Sequence, residues 1–577
     1  GTRRARGISI RLHLSGALAR DAWKISGGRP QKLTCHHSQN SLLTMKEIPS
    51  KGIKIFLVAF LVFSTSLSAS ADKADFKIIK RSLAPTSDQN LRFQPVYQNE
   101  DWKPTQTAVI VCDMWDLHHC FNATRRGAEM APRMNQFLKA ARKNGSLIIH
   151  APSSCMKPYG NHPGRKRAQN APMSANLPKQ IAEWCDRIPE EGQGAYPIDQ
   201  TDGGEDDDPA EHEAWAKRLV AKGLNPRAPW TKQTELLDIH KEDVISDSGI
   251  EIWNVMEAAG IKNVILIGVH TNMCVLGRPF GLRRLASNGK NVVLCRDLTD
   301  TLYNPKMEPY VSHFTGTDLI IEHIEKWICP TITSDQLLKD EPFQFKNDIR
   351  PHLVMLVAEC EYMTNESLPA FSLEHLGKDY KVTILHCDEE SQGERNDIPG
   401  TAQAVKDADI LLVSVRRRAL KAANFKAVEK HIKAGKPVIG IRTANHAFSL
   451  RGVKPPEGHL VWEDFDAKVW GGSYSGHHGA GKAVTIKKLG DHPILKGIDV
   501  DTFKGAGSLY VVNPIADSTQ AILSGGIDGE PAEPIAWTNR TKFGGKAFYT
   551  SLGHVVDFEQ KQMNIMLKNA IDWVTAK

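Results

Sequence analysis

The chain has 577 residues and carries 73 Lys and Arg against 66 Asp and Glu, a formal net charge of +7, and it is too long for one core of ordinary size. The basic excess sits in the first 71 residues, which hold 11 Lys and Arg and 2 Asp and Glu; the remainder, with 62 and 64, carries −2. Such a balance gives no footing to nucleic acid or to an anionic membrane surface as a partner.

Residues 1–44 precede Met45 and are rich in Arg, Ser and His without periodicity, as expected of an over-extended leader. Residues 55–67 form an apolar run behind Lys46, Lys51 and Lys54, and Ala69-Ser70-Ala71 supplies a small-residue cleavage pattern, so 45–71 reads as a signal peptide cut after Ala71. The run falls short of the roughly 20 residues of a membrane span, and no later stretch reaches that length. The expected product is soluble and exported, secreted or periplasmic. Nine cysteines remain past Cys35. An odd number leaves at least one thiol unpaired within the chain, no zinc-like CxxC pairs occur, and export permits disulfides only at low density.

The first domain is expected over about 75–330. The apolar run Ala108–Cys112 reads as a buried strand, and Asp113 behind it falls at the carboxyl edge of a sheet or caps a helix. Arg125–Lys143 reads as a helix and Ser146–His150 as a strand. Residues 198–208 (IDQTDGGEDDD) read as a solvated loop; their carboxylates fit no EF-hand spacing. Lys241 lies in a loop ahead of the helical segment Ile250–Ala259, which Gly260 ends. Val264–Gly268 is a second buried strand, an amphipathic segment follows, and Val292–Cys295 is a third. Cys274 sits where the chain turns from strand to helix. Ligands of open α/β sheets bind at that edge, and a helix N-terminus favours thiolate over thiol; an inert buried cysteine is the alternative. The three residues form one proposal, in which Asp113 takes the thiol proton, Cys274 attacks and Lys241 tunes the pair.

Asp113 at the end of the first strand, Lys241 lying 33 residues before the cysteine, and the run GVHTNMCV with Cys274 resemble the isochorismatase-like cysteine hydrolases, the superfamily of nicotinamidases and N-carbamoylsarcosine amidohydrolases. The resemblance covers roughly 100–330. It implies a parallel sheet with helices on both faces, with Asp113 as general base, Lys241 as its charged partner and Cys274 as nucleophile. It also implies a cis peptide between Val269 and His270 that helps aim the N–H groups of Met273 and Cys274 at an oxyanion. Members that cleave a vinyl ether need not have the cysteine, so its presence favours C–N hydrolysis through a thioester. The segment from His150 to His162 lacks the Asp of the nicotinamidase zinc site, so neither nicotinamide nor a metal is favoured. The insertion at about 155–230, with Arg165, Arg167, Tyr196 and Trp230, is expected to shape a different pocket.

Residues 331–349 are polar and read as a linker. Beyond it the strands Leu353–Val357, Val382–His386, Ile410–Val415 and Pro437–Ile441 alternate with helical segments. The fold class is therefore α/β, two three-layer α/β/α domains with mainly parallel sheets. The pieces GKPVIGIRTANHAF, the Trp462-to-His478 segment, DHPILKG, Leu509-Tyr510 and AFYTSLGH resemble the trehalose-utilisation (ThuA-like) family, which shares the class I glutamine amidotransferase fold, over about 350–577. Where amidotransferases place a cysteine, this chain has Arg442 and Thr443, so no glutaminase reaction is expected. Arg442, His446, His477, His478 and His554 are the candidate ligand residues of this half. The expected partners are a small amide or carbamoyl substrate and a carbohydrate-related ligand, with no cofactor; self-association into a homo-oligomer stays open. A catalytically silent protein that binds a sugar derivative is the competing reading.

Overall fold

The computed structural model describes residues 74–86, 92–388, 396–479 and 481–576; the expected leader and signal peptide lie outside them. The first half is built on the strands β1 (Phe76–Pro85), β2 (Phe93–Trp102), β3 (Thr107–Cys112), β4 (Leu147–Ala151), β5 (Val244–Ile245), β6 (Asn263–Val269), β7 (Asn291–Asp300) and β8 (Thr331–Ile332), in the order β2-β1-β8-β7-β6-β3-β4-β5. From β8 to β5 every pairing is parallel; β1 and β2 form an antiparallel hairpin at one edge.

Alternation along the strands splits the core in two. Ala108, Ile110, Cys112, Val264 and Leu266 face the helices Gly249–Ala258 and His313–Trp327, while Val109, Val111, Ile265 and Ile267 face the helix Phe121–Lys143. Both faces being covered is why β3 and β6 read as unbroken apolar runs.

The second half uses β9 (His352–Ala358), β10 (Lys381–His386), β11 (Ile410–Val415), β12 (Leu420–Lys421), β13 (Val438–Ile441), β14 (His459–Leu460), β15 (Gly476–His478), β16 (Val484–Lys488), β17 (Lys504–Gly505), β18 (Leu509–Val511), β19 (Gln520–Gly526), β20 (Glu533–Arg540) and β21 (Lys546–Thr550). Nine of them make a sheet in the order β10-β9-β11-β13-β21-β20-β19-β16-β17. It is parallel from β10 to β21 and antiparallel beyond. The mainly parallel expectation therefore describes the first sheet and only half of the second.

The stretch 331–349 is not a free linker. It contributes β8, Phe343 and Phe345 pack against the core of the first half, and the Phe343 N–H donates to Asp297 at 2.9 Å. Two aromatic side chains bury enough apolar surface to tie down an otherwise polar segment. Arg350 closes the joint through Thr315 at 2.7 Å and Asp318 at 3.0 Å.

The insertion is anchored by Glu191, buried and receiving Arg283 Nε and Nη2 at 2.7 Å each and the Ile188 N–H at 2.9 Å, with His323 Nε2 also at 2.9 Å. Burial pushes this carboxyl up, but the hydrogen bonds from His323 and Arg283 outweigh it and hold it at about 2, below its ordinary 4.5. A depressed carboxyl contributes stability that is complete above its unfolded value and is lost as pH falls through the folded one. Glu191→Gln is expected to cost about 3–5 kcal/mol at neutral pH, because Arg283 loses its buried partner. The difference from wild type in urea unfolding should shrink steadily between pH 4.5 and 2.

Candidate functional site

β3 and β6 lie side by side with Cys112 opposite Gly268, and both chains turn out of the sheet at its carboxyl edge just beyond that pair. Gly268 has φ +115°, and a Cβ there would stand 2.0 Å from the Cys112 carbonyl oxygen. Gly268→Ala is accordingly expected to cost about 3 kcal/mol in denaturant unfolding, through backbone strain and overpacking together.

Asp113 follows β3 with φ +46° and is fully buried. It does not cap a helix, since the helix Phe121–Lys143 begins eight residues later with Cys120 as its N-cap. Asp113 Oδ1 accepts the Ser153 N–H at 2.7 Å, and Oδ2 accepts Arg278 Nε at 2.9 Å. The Cys274 thiol lies near the same carboxylate, and each acts on the proton affinity of the other. Burial raises the Asp113 carboxyl above its usual range, while Arg278, Cys274 and Ser153 pull it back. Cys274 lies in a short helical turn, Thr271–Val275, and is 7 % exposed. Burial first and the Asp113 charge second push its thiol well above the ordinary value, with Arg278 opposing. The resting arrangement is a protonated thiol beside a carboxylate that an arginine holds in place.

The cation beside Asp113 is Arg278, and the expected Lys241 is a correction. Lys241 stands on an exposed turn, 3.7 Å from Glu242, with its side chain 81 % exposed. Its neighbour Asp243 is the residue that turns inward, to Arg142 at 2.8 Å and to the buried His150 at 3.2 Å. Lys232 is no substitute, because it pairs with Glu235. Arg278 N–H donates to the Cys274 carbonyl at 3.0 Å, so one helical turn separates nucleophile and cation.

The Val269–His270 bond is cis. His270 is buried, neither ring nitrogen has a hydrogen-bond partner, and burial holds its pKa down at about 4, so it is neutral at pH 7. The Met273 N–H donates to the His270 carbonyl at 3.0 Å, so it does not point at an oxyanion as expected.

A small pocket opens beside the carboxylate, lined by Asp113, Trp115, Leu117, His118, Val269 and His270. Trp230 of the insertion stacks on Trp115 at 4.6 Å. On the other flank Trp184 covers Gly277, and the Arg278 guanidinium lies 5.5 Å from the Trp184 ring. Arg165 and Arg167 are committed elsewhere, the first to Glu251 and the second to the Asp243 carbonyl. Tyr196 donates to the Asn272 carbonyl at 3.3 Å.

The acidic loop is more than solvated surface. Asp207 accepts the Phe121 and Asn122 N–H groups at 2.7 Å each, where carboxylate charge suits a helix N-terminus, and Asp206 pairs with Arg126 at 2.7 Å. Cys120, Asp206 and Asp207 form the one group among the described residues spaced to hold a metal ion, and these bonds already occupy the carboxylates. Cys112, Cys120, Cys155, Cys185, Cys274, Cys295 and Cys329 are free thiols.

In the second half Arg442 follows β13 with φ +46°, the same place and conformation that Asp113 has after β3. It is buried between Tyr362 and Tyr510, at 4.2 and 4.4 Å from the ring centres, and donates to the Ser551 carbonyl at 2.5 Å and to Ser508 Oγ at 3.1 Å. His446 sits one turn on, 4.9 Å from the Tyr474 ring, and His477 accepts from or donates to the Tyr474 hydroxyl at 2.8 Å. His554 approaches Tyr362 at 6.0 Å. The chain of contacts groups Arg442, His446, His477 and His554 at one sheet edge. His478, on the opposite side of β15, pairs instead with Glu530 at 3.2 Å.

No match was found among curated proteins. A solved structure described as a cysteine hydrolase from Pseudomonas syringae is similar at 18 % identity and TM-score 0.26, covering 41 % of this chain and 94 % of that one. A putative ThuA-like protein from Bacteroides uniformis is similar at 16 % identity and TM-score 0.30, over 41 % of this chain and 95 % of that one. One from Parabacteroides merdae shows 12 % identity and TM-score 0.32, over 39 % and 90 %. The family model for ThuA, trehalose utilisation, matches residues 354–574, so the second half of the chain carries a ThuA-like domain.

Proposed function

We propose that the first half is a hydrolase that cleaves a C–N bond of a small amide or N-carbamoyl compound through a thioester on Cys274, and that the ThuA-like half holds a carbohydrate-related ligand for an exported protein. The observation that carries the reading is one buried carboxylate, paired with the Arg278 guanidinium at 2.9 Å, near the Cys274 thiol at the same sheet edge. In this scheme sulfur attacks the carbonyl carbon as the thiol proton passes to Asp113. The Cys274 N–H and the nearby Arg278 stabilise the charge that develops on oxygen. Asp113 returns the proton to the departing nitrogen, the C–N bond breaks, and an acyl thioester remains. Asp113 then takes a proton from water as that water attacks the thioester, and the thiol is restored as the acid leaves.

Arg278 has two tasks here. It keeps Asp113 ionised against a buried setting that favours the neutral acid, and it holds the carboxylate toward the sulfur. A high thiol pKa is compatible with the scheme because the base stands close to the sulfur, so attack and deprotonation are one event. The same high pKa also supports a second reading, in which the site is silent and the protein only binds.

The test is ammonia release from a panel of small primary amides and N-carbamoyl compounds, with iodoacetamide labelling of the same protein. Turnover of at least one compound, lost in step with one alkylated thiol at Cys274, supports the hydrolase. No turnover across the panel, together with an unreactive Cys274, would leave the silent reading standing.

A further inference from the structure

The pocket beside Asp113 has a volume of about 20 Å³. One or two waters fill such a space, and a ring does not. Trp230 stacks on both Trp115, at 4.6 Å, and His118, at 5.9 Å, and so backs one wall with flat rings. Few polar atoms line the rest. Thr124 Oγ1 is committed to the His118 N–H at 3.0 Å and to the Cys120 carbonyl at 3.2 Å. His118 Nδ1 accepts the Cys120 N–H at 3.1 Å, so in the neutral ring the proton sits on Nε2. Asp113 keeps spare lone pairs after accepting from Ser153 and Arg278.

His270, on the wall formed by the turn after β6, stands out. It is 3 % exposed, and neither Nδ1 nor Nε2 has a hydrogen-bond partner. The charged groups that act on it are engaged with one another: Asp300 accepts Arg126 Nε at 2.8 Å, and its other oxygen lies 2.9 Å from His313 Nε2. None of them serves the ring. His118 meets it edge-on at 4.8 Å, without a hydrogen bond to it. Burial keeps both imidazoles neutral at pH 7, so each ring has one nitrogen that donates and one that accepts. Buried polar atoms are costly to leave unpaired, and the pocket that His270 lines admits a small polar molecule able to pair them.

We propose that His270 is the positioning residue for the hydrolytic water, which enters this pocket between His270 and Asp113 and attacks the thioester on Cys274. The proposal rests on the hydrolase reading and adds to it the group that aims the second step. In that step the water oxygen bonds to the acyl carbon, one water proton passes to Asp113, the C–S bond breaks, and Asp113 returns the proton to sulfur. The other water proton is held by the accepting nitrogen of His270 and leaves with the acid. Fixing that proton fixes the direction of the attacking lone pair. A neutral imidazole suits the task, because an imidazolium has no acceptor. Acylation depends on His270 less. The amide nitrogen arrives tethered to the carbon it leaves, whereas water has no tether but the pocket.

Rapid-quench intact mass and ammonia release across the panel of small primary amides and N-carbamoyl compounds test it. His270→Phe keeps a ring and removes both nitrogens. In that variant the first equivalent of ammonia should appear within about threefold of the wild-type rate, while the acyl adduct accumulates and steady turnover falls about 100-fold. His270→Gln, which keeps a donor and an acceptor, should recover about tenfold of the loss. The wild type alone gives a second measurement that needs no variant to fold: hydroxylamine, with two heavy atoms, should divert the acyl group to a hydroxamate, and O-benzylhydroxylamine should not. Equal slowing of both steps in His270→Phe, turnover there within about threefold of wild type, or equal capture by the two nucleophiles would overturn the inference and leave the hydrolase reading in place. Absence of both adduct and turnover from the wild type across the panel would overturn the two together.

Discussion

Cys274→Ala is expected to lower kcat/KM by about 10⁴-fold or more on any amide that the wild type turns over, because it removes the group to which the acyl fragment is transferred. Residues that act as a unit are not additive, so Asp113→Asn in the Cys274→Ala background should add little to the loss. The fold should survive the change. Cys274 is small and sits in a turn at the sheet edge, where trimming a sulfur costs far less than trimming a core leucine. Steady-state kinetics beside circular dichroism separate the two effects. A Cys274→Ala protein that kept even a tenth of the activity would move the chemistry away from the sulfur.

Arg278→Gln is expected to cost about 3–5 kcal/mol of stability at neutral pH and to move the acid limb of the pH–rate profile upward. Removing one partner leaves the other, a fully buried carboxylate, without compensation. The sign follows from the folded-state shift. Burial already raises the Asp113 carboxyl, and Arg278 is the foremost influence pulling it down. Without Arg278 the carboxyl rises further, so a base that must be ionised becomes active only at higher pH. A carboxyl raised on folding also costs stability as pH climbs from its unfolded value through its folded one, so the variant should lose ground to wild type over that interval. Lys241→Ala is the contrasting variant. Its side chain is exposed, and its loss should change stability by less than about 0.5 kcal/mol and leave the profile in place. Urea unfolding and pH–rate curves for the two variants decide which cation serves Asp113.

The strands that carry Asp113 and Cys274 were legible because helices cover both faces of the sheet, which leaves β3 and β6 as uninterrupted apolar runs ending in a polar or small residue. The hairpin of β1 and β2 was not, since it lies at an edge and mixes Lys, Arg, Gln and Glu with half-buried apolar residues. The antiparallel half of the second sheet escaped for a related reason. Its strands are short or glycine-containing, and the pattern that marks a buried parallel strand is absent from stretches such as Val484–Lys488 and Gln520–Gly526. Arg278 had a signal that distance in sequence alone could have raised. It stands four residues after Cys274, one helical turn, on the same side as the sulfur. Lys241 drew attention through a resemblance in chain order, but the inward position at that turn belongs to Asp243, whose bonds to Arg142 and His150 leave the lysine facing solvent. His446 and Arg442 were found by their place after a strand, in the turn that follows β13.

The measurement that bears most directly on the account is the intact mass of the protein after brief incubation with small amides and N-carbamoyl compounds and an acid quench, beside Cys274→Ala treated alike. The account predicts a mass increase equal to one acyl group, present in the wild type, absent from the variant, and mapped by proteolysis to the peptide that contains Cys274. An acyl group found on another residue, or hydrolysis at full rate in the variant, would contradict it.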